Sequence, residues 1–330
     1  MKRLIAPVLF ALALSACGST FESTAETTAA QACQDVAHAR CTRLAACSIT
    51  SLQIRFGDEA SCEAREKLNC ANSLAAAGTG SSPTHTEACA QSIPAWDCTS
   101  YLNGLSVPAA CQQQTGSLEI GATCAFPGQC QSGFCAIKPG AACGTCAAQP
   151  QLGSACAELT TCGAGVDCTA DTQICVVVAL QGQACGKGAP CGTGLSCVGI
   201  NTSMDTSGTC KAAGEQAGLA CDSSQVTGPS CDRNGGVVCN SKAKQCAAVA
   251  LASGGQPCGN VNAQNAPCSA NGLCVGASGA TPGTCVAAAA DGAACDVKEG
   301  PPCQQLARCI TTSDAGTSGT CRVPDATACD

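Results

Sequence analysis

The spacing of cysteine constrains this chain more than any other feature. The spacer Gly-x-x-Cys recurs from Gly121 to Cys124, Gly153 to Cys156, Gly182 to Cys185, Gly218 to Cys221, Gly255 to Cys258 and Gly292 to Cys295, with successive cysteines 32, 29, 36, 37 and 37 residues apart. A fixed period in this range marks an array of similar units. Within a unit a second Cys follows after five to nine residues. The third commonly follows a Gly and an apolar residue, as in Gly133-Phe134-Cys135 and Gly272-Leu273-Cys274. The fourth often closes Gly-Thr-Cys, as in Gly208-Thr209-Cys210, Gly283-Thr284-Cys285 and Gly319-Thr320-Cys321.

Composition says why the units need sulfur. Leu, Ile, Val and Phe are about one residue in seven, far below the usage of a packed enzyme core. No aromatic residue follows Phe134, so units of this size cannot bury enough apolar area to offset chain entropy. Two disulfides per unit, each contributing roughly 2–4 kcal/mol, can supply what the core lacks. Each unit is expected to be short β-ribbons and turns around two bridges, with a small apolar plug such as Leu195 or Leu273. Four cysteines permit three pairings, and spacing does not choose among them. The same composition argues against a doubly wound sheet or a (β/α)8 barrel, whose buried strands read as Val/Ile/Leu runs. With 16 Lys plus Arg against 23 Asp plus Glu, it also argues against nucleic-acid binding.

The fold class expected is therefore small and disulfide-rich: a Cys-stapled α-helical domain over 31–116, then tandem Cys-rich modules with little regular structure over 117–330. The helical stretch carries Cys33, Cys41, Cys47, Cys62, Cys70, Cys89, Cys98 and Cys111, both histidines, Trp96 and Tyr101. Cys33 and Cys41 are eight apart, as are Cys62 and Cys70, which on a helix brings the side chains to one face. Helical runs are expected from Asp35 to Ala46, from Asp58 to Leu74 with Asp58 as cap, and from Thr86 to Leu102 with Pro94 shortening or kinking the last. This gives a bundle of three or four helices.

The modules hold Cys124, Cys130, Cys135, Cys143 and Cys146; Cys156, Cys162, Cys168 and Cys175; Cys185, Cys191, Cys197 and Cys210; Cys221, Cys231, Cys239 and Cys246; Cys258, Cys268, Cys274 and Cys285; and Cys295, Cys303, Cys309 and Cys321. The first has five, and Cys329 stands alone, like the opening of a truncated seventh unit. The preferred reading joins Cys329 to a neighbouring unit with shuffled partners; a long-range bond to the first unit and an unpaired or intermolecular thiol are the alternatives.

The first seventeen residues read as an export signal. Lys2 and Arg3 precede an apolar run, Leu4 to Leu14, that is too short to span a bilayer. Residues 1–16 form the signal, and Leu14-Ser15-Ala16-Cys17 resembles the lipobox of bacterial lipoproteins. That resemblance implies that Cys17 becomes the acylated first residue of the mature chain, carrying palmitate-type chains that anchor it firmly. With Gly18 following, it implies an outer-membrane lipoprotein of the cell envelope, exposed to the periplasm or the cell surface. Without Cys17, 34 cysteines remain, enough for 17 disulfides in an oxidising compartment. Loss of Lys2 and Arg3 moves the formal charge from −7 to −9, so lipid rather than charge would hold the chain on a membrane. Residues 17–30, rich in Ser, Thr, Glu and Ala, read as a tether.

The segment Gly121-Ala122-Thr123-Cys124 through Cys130-Gln131-Ser132-Gly133-Phe134-Cys135 is similar to the Dickkopf N-terminal cysteine-rich module and to EB-like domains. It also resembles the repeat of cysteine-rich lipoproteins of myxobacterial type. The resemblance implies a module without catalytic residues that presents surface to partners.

Catalysis and metal binding find little support. Cys143 and Cys146 form the one Cys-x-x-Cys, with no second at zinc-ribbon spacing and no βαβ frame for redox chemistry. A serine nucleophile needs a base. His38 reads as part of a solvated helix face beside Arg40, and His85 as lying near a helix start. Trp96 and Tyr101 read as domain core. Asn201-Thr202-Ser203 matches a glycosylation acceptor, and the acidic loops at Asp205 and Asp314 lack the ligand density of a calcium site. No catalytic residue, metal ligand or cofactor is expected. The function expected is a non-enzymatic, rod-like surface lipoprotein with a structural, adhesive or partner-binding role. Its partners would be the membrane through the lipid and an extracellular protein or glycan, with no nucleic acid. The alternative is a metal-sequestering extracytoplasmic protein, and an enzyme stands third.

Overall fold

A computed structural model of the chain describes residues 27–156, 162, 166–168, 173–186, 189–200, 207–312 and 316–329. Five α-helices come first: α1 Ala29–Cys47, α2 Ile49–Arg55, α3 Glu59–Ala75, α4 Pro83–Ser92 and α5 Cys98–Asn103. Each begins on a polar cap: the side chains of Thr28, Ser48, Asp58, Ser82 and Asp97 each accept a hydrogen bond from a backbone N–H three residues on. The bonds Cys33–Cys70 and Cys41–Cys62 form two rungs between α1 and α3. Their numbers add to the same total, as antiparallel helices in register require. Cys47–Cys98 ties α1 to α5, and Cys89–Cys111 ties α4 to a short turn at Ala109–Cys111.

Three expectations here need correction. The run Thr86 to Leu102 is not one helix: a 3-10 turn at Ile93–Ala95, containing Pro94, separates α4 from α5. Trp96 therefore lies between elements, though its ring meets Tyr101 edge-on at 5.3 Å. The helix α2 was not expected. It forms because Ser48 caps it and because Leu52 drops into a core with Cys41, Leu44, Phe56 and Cys62. The first helix also begins earlier than expected, at Ala29 rather than Asp35, within the stretch read as a tether.

The six modules share one pairing. First cysteine joins third and second joins last throughout, from Cys124–Cys135 and Cys130–Cys146 to Cys295–Cys309 and Cys303–Cys321, with Cys143 the extra cysteine of the first module. The third and fourth cysteines stand opposite each other on an antiparallel hairpin, as Cys197 does to Cys210 and Cys309 to Cys321. Their two bonds consequently lie side by side, and sulfur becomes the core. The buried cluster of the sixth module is Cys295, Cys303, Cys309 and Cys321, edged among the described residues by Ala289 and Ala307. Leu195 packs against such a cluster as expected of a plug; in the fifth module that place is taken by Ala252, not Leu273.

The two motif glycines do different work. In Gly-x-x-Cys the glycine takes a positive φ, +83° at Gly255, in open space. In Gly-Thr-Cys the glycine lies on a strand opposite the first cysteine, as Gly283 does to Cys258. A Cβ on Gly283 would stand 2.4 Å from the Val275 carbonyl oxygen, so backbone crowding excludes any side chain there.

The array is not a rod. It bends round the helical domain, which acts as a hub, and meets itself. The first module bonds to the hub through Gln129 Nε2 to Ala77 O (2.8 Å) and Gly80 N to Gly128 O (2.9 Å). The third does so through Thr193 N to Asn103 Oδ1 (2.7 Å). In the fourth, Asn234 accepts from the Ser48 and Ser51 hydroxyls (2.7 and 2.6 Å). In the fifth, Ala270 N and Asn271 N donate to Gln53 O and Ile54 O. In the sixth, Arg65 of α3 donates to Gln305 O and pairs with Asp291. The circuit closes where Thr311 N of the sixth module donates to Gly140 O of the first (3.0 Å). Cys329 completes it by bonding to Cys143, 186 residues away. The preference for a neighbouring unit is thus overturned. Cys329 opens no seventh unit either: it ends a 3-10 turn, Ala326–Cys329, packed near Ala76 and Phe126.

Candidate functional site

Hub and modules enclose a cleft of about 550 Å3 between the end of α5 and modules two to four. The chain turns sharply there because α5 stops at Gly104, which takes φ +63°. Asn103 is thereby held facing the third module. Its Nδ2 donates to Thr99 O (2.7 Å) while its Oδ1 receives Thr193 N. Gly192 and Gly194 flank Thr193, and a Cβ on Gly192 would come within 3.3 Å of Asn103 Oδ1. On the other wall the Asp232 carboxylate accepts the Asn234 N–H at 2.9 Å and shapes the turn. Arg233 projects from that turn, and partial burial draws its guanidinium below its ordinary pKa. Leu102, Val166, Val178 and Leu195 make the apolar part of the lining.

This set suits recognition. A cation, a carboxylate, amides and an apolar floor can hold an amphipathic group. Cys191 and Cys231 also line the cleft, but both sulfurs are consumed in disulfides. Among the described residues lining it there is no imidazole.

The structure distributes the residues singled out from sequence as follows. All 34 cysteines after Cys17 are bonded in pairs, with Cα–Cα separations between 4.5 and 6.0 Å, the range a disulfide demands. Cys143 and Cys146 are not joined to each other; they bond Cys329 and Cys130. Sulfurs do gather closely, those of Cys124, Cys130 and Cys135 lying within 4.8 Å of one another. Such groups are neighbouring disulfides, and they offer thiolates only after reduction. His38 Nδ1 meets Glu63 Oε1 at 2.7 Å across α1 and α3, and that bond raises its pKa above 6.5. His85 lies in α4 with Nε2 3.0 Å from Gln112 O. The two imidazoles thus have separate partners. Trp96 Nε1 donates to Leu105 O and the Tyr101 hydroxyl to Arg40 O, both at 2.9 Å, so these rings brace the hub. Cys17, the signal, Asn201, Asp205 and Asp314 lie outside the described residues. Among the described residues, no helix is long and apolar enough to cross a membrane.

Sequence reasoning missed Asn103, Asp232, Arg233 and Asn234. The Asp-x-Asn of 232–234 is a turn signal and could have placed the loop, but nothing local marks what it faces. Comparisons with protein-family models, with curated proteins and with solved structures found no match.

Proposed function

We propose that this protein is a non-enzymatic lipoprotein of the cell envelope, anchored through acylated Cys17, whose ring of modules serves a structural, adhesive or partner-binding role. The observation that carries the reading is the way the modules present themselves. Each is pinned internally by two disulfides, and the turns that open the first four expose single apolar side chains. Ile120 is 71% exposed, Leu152 62%, and Leu180 and Leu219 46% each. A rigid array loses little entropy when such side chains are covered, which favours contact with a protein or glycan over catalysis. The cleft beside Asn103 and Arg233 adds a polar recognition point.

Intact mass measurement of the membrane-extracted chain tests the anchor: the expected result is a mature chain starting at Cys17 with acyl mass and no free thiol. A chain with an unmodified Cys17 recovered in the soluble fraction would overturn the reading. The second reading, metal sequestration, draws on the sulfur clusters. Stoichiometric Zn or Cu in protein purified without reductant would favour it over the first.

A further inference from the structure

The seam where the sixth module meets the first holds another cavity, of about 330 Å3, lined in part by Arg308 and Arg322. These two stand directly opposite each other on the antiparallel strands Arg308–Thr311 and Ser318–Arg322. Like charges so placed repel each other, and a carboxylate between them would ordinarily relieve the repulsion. Among the described residues none lies within 4.0 Å of either guanidinium. The two acids of the cavity are engaged elsewhere: Asp291 pairs with Arg65, and Asp325 accepts the Thr327 N–H at 3.0 Å. Among the described residues Arg308 makes one long bond, Nη1 to Ala142 O at 3.5 Å, although partial burial lowers its pKa. The cavity also has an apolar side formed by Ile310, Val323 and Pro324.

We propose that this cavity binds a small organic carboxylate, held by Arg308 and Arg322 with its apolar body against Ile310, Val323 and Pro324. A guanidinium pair matches the planar fork of a carboxylate, and the volume suits a ligand of a few carbons. Ala142 of the first module and Asn72 of the hub also line the cavity, so an occupant would bridge three parts of the molecule at the seam. The inference goes beyond the lipoprotein reading and does not depend on acylation of Cys17.

Isothermal titration of the fully oxidised chain with hexanoate tests it. The expected result is saturable binding at millimolar concentration or below, at least tenfold tighter than hexanamide, acetate or inorganic phosphate. Arg308→Gln and Arg322→Gln should each weaken binding at least tenfold, Arg308→Lys less so, and Lys244→Gln not at all. Absence of saturable binding, equal binding of hexanamide or phosphate, or unchanged affinity in both Gln variants would overturn the assignment. Should a variant fail to form its disulfides, the side-chain Nε–Hε resonances of Arg308 and Arg322 in the unaltered chain give the answer. Both should shift on titration with hexanoate, and unmoved resonances would overturn the proposal.

Discussion

In the hub, Leu44, Leu52 and Phe56 are buried beside Cys41 and Cys62, with Ile93 and Val36 in a second cluster. In the modules, the corresponding clusters are four cysteines with little beside them, such as Cys258, Cys268, Cys274 and Cys285 around Ala252. The hub uses disulfides to reinforce a small hydrophobic core and capped helices. The modules use them in place of one. Sulfur is compact and apolar, and a bonded pair removes chain entropy before folding begins, so about 35 residues suffice for an ordered unit.

That contrast has measurable consequences. Removing one bond from a module, with Cys258→Ala and Cys274→Ala together, should cost about 3 kcal/mol from chain entropy plus the loss of half the sulfur core. Amide hydrogen exchange across 257–286 should lose protection while the hub keeps its own. The matching hub variant, Cys41→Ala with Cys62→Ala, keeps the Cys33–Cys70 rung and the apolar cluster. It should retain its helical circular dichroism and lose only about 3 kcal/mol in urea unfolding. Equal collapse of both variants would show that the hub, too, has no core but sulfur.

The glycines give a finer test inside one module. Gly283→Ala forces a methyl into the Val275 carbonyl and should destabilise by about 1–3 kcal/mol or more through overpacking. Gly255→Ala meets only the left-handed backbone penalty of about 1–2 kcal/mol. Urea midpoints should fall in that order; the reverse order would mean the strand can spread.

Hub and array meet through hydrogen bonds and the Arg65–Asp291 ion pair, with no disulfide between them among the described residues. Arg65→Ala removes the bonds to Gln305 and Asp291 and should cost about 2 kcal/mol, read as faster proteolysis of the sixth module. The smallest effect belongs to His38. Its folded pKa is raised, chiefly by the hydrogen bond to Glu63, so its contribution is full below the unfolded value of 6.5 and fades as pH rises through the folded pKa. Proton NMR should place its midpoint above 6.5, and Glu63→Gln should lower it.

How much of this could be read from the chain follows the same division. Repetition made the modules legible: six recurrences of Gly-x-x-Cys, and a Gly-Thr-Cys whose glycine proves to be sterically required. The pairing within a module was not legible, because Cys185 is near both Cys191 and Cys197 in sequence and only the hairpin register decides. In the hub, Asp58 announced α3, but α2 has seven residues and a single large buried apolar side chain, Leu52, too little for a periodic signal. Closure of the array was invisible for a different reason. Its contacts are backbone carbonyls of Ala77, Gln53 and Gly140, which any sequence possesses, and scattered polar residues such as Asn103, Asn234 and Arg65. The cleft inherits that obscurity, since its walls come from elements more than a hundred residues apart.

The chain is bent back on its own beginning and locked there by the Cys143–Cys329 bond. Proteolysis without reduction, followed by mass spectrometry of the linked peptides, examines this directly. The predicted spectrum contains a peptide bearing Cys143 joined to one bearing Cys329, together with first-to-third and second-to-last pairs from each module. A Cys329 linked instead to Cys303 or Cys321, or recovered as a free thiol, would contradict it.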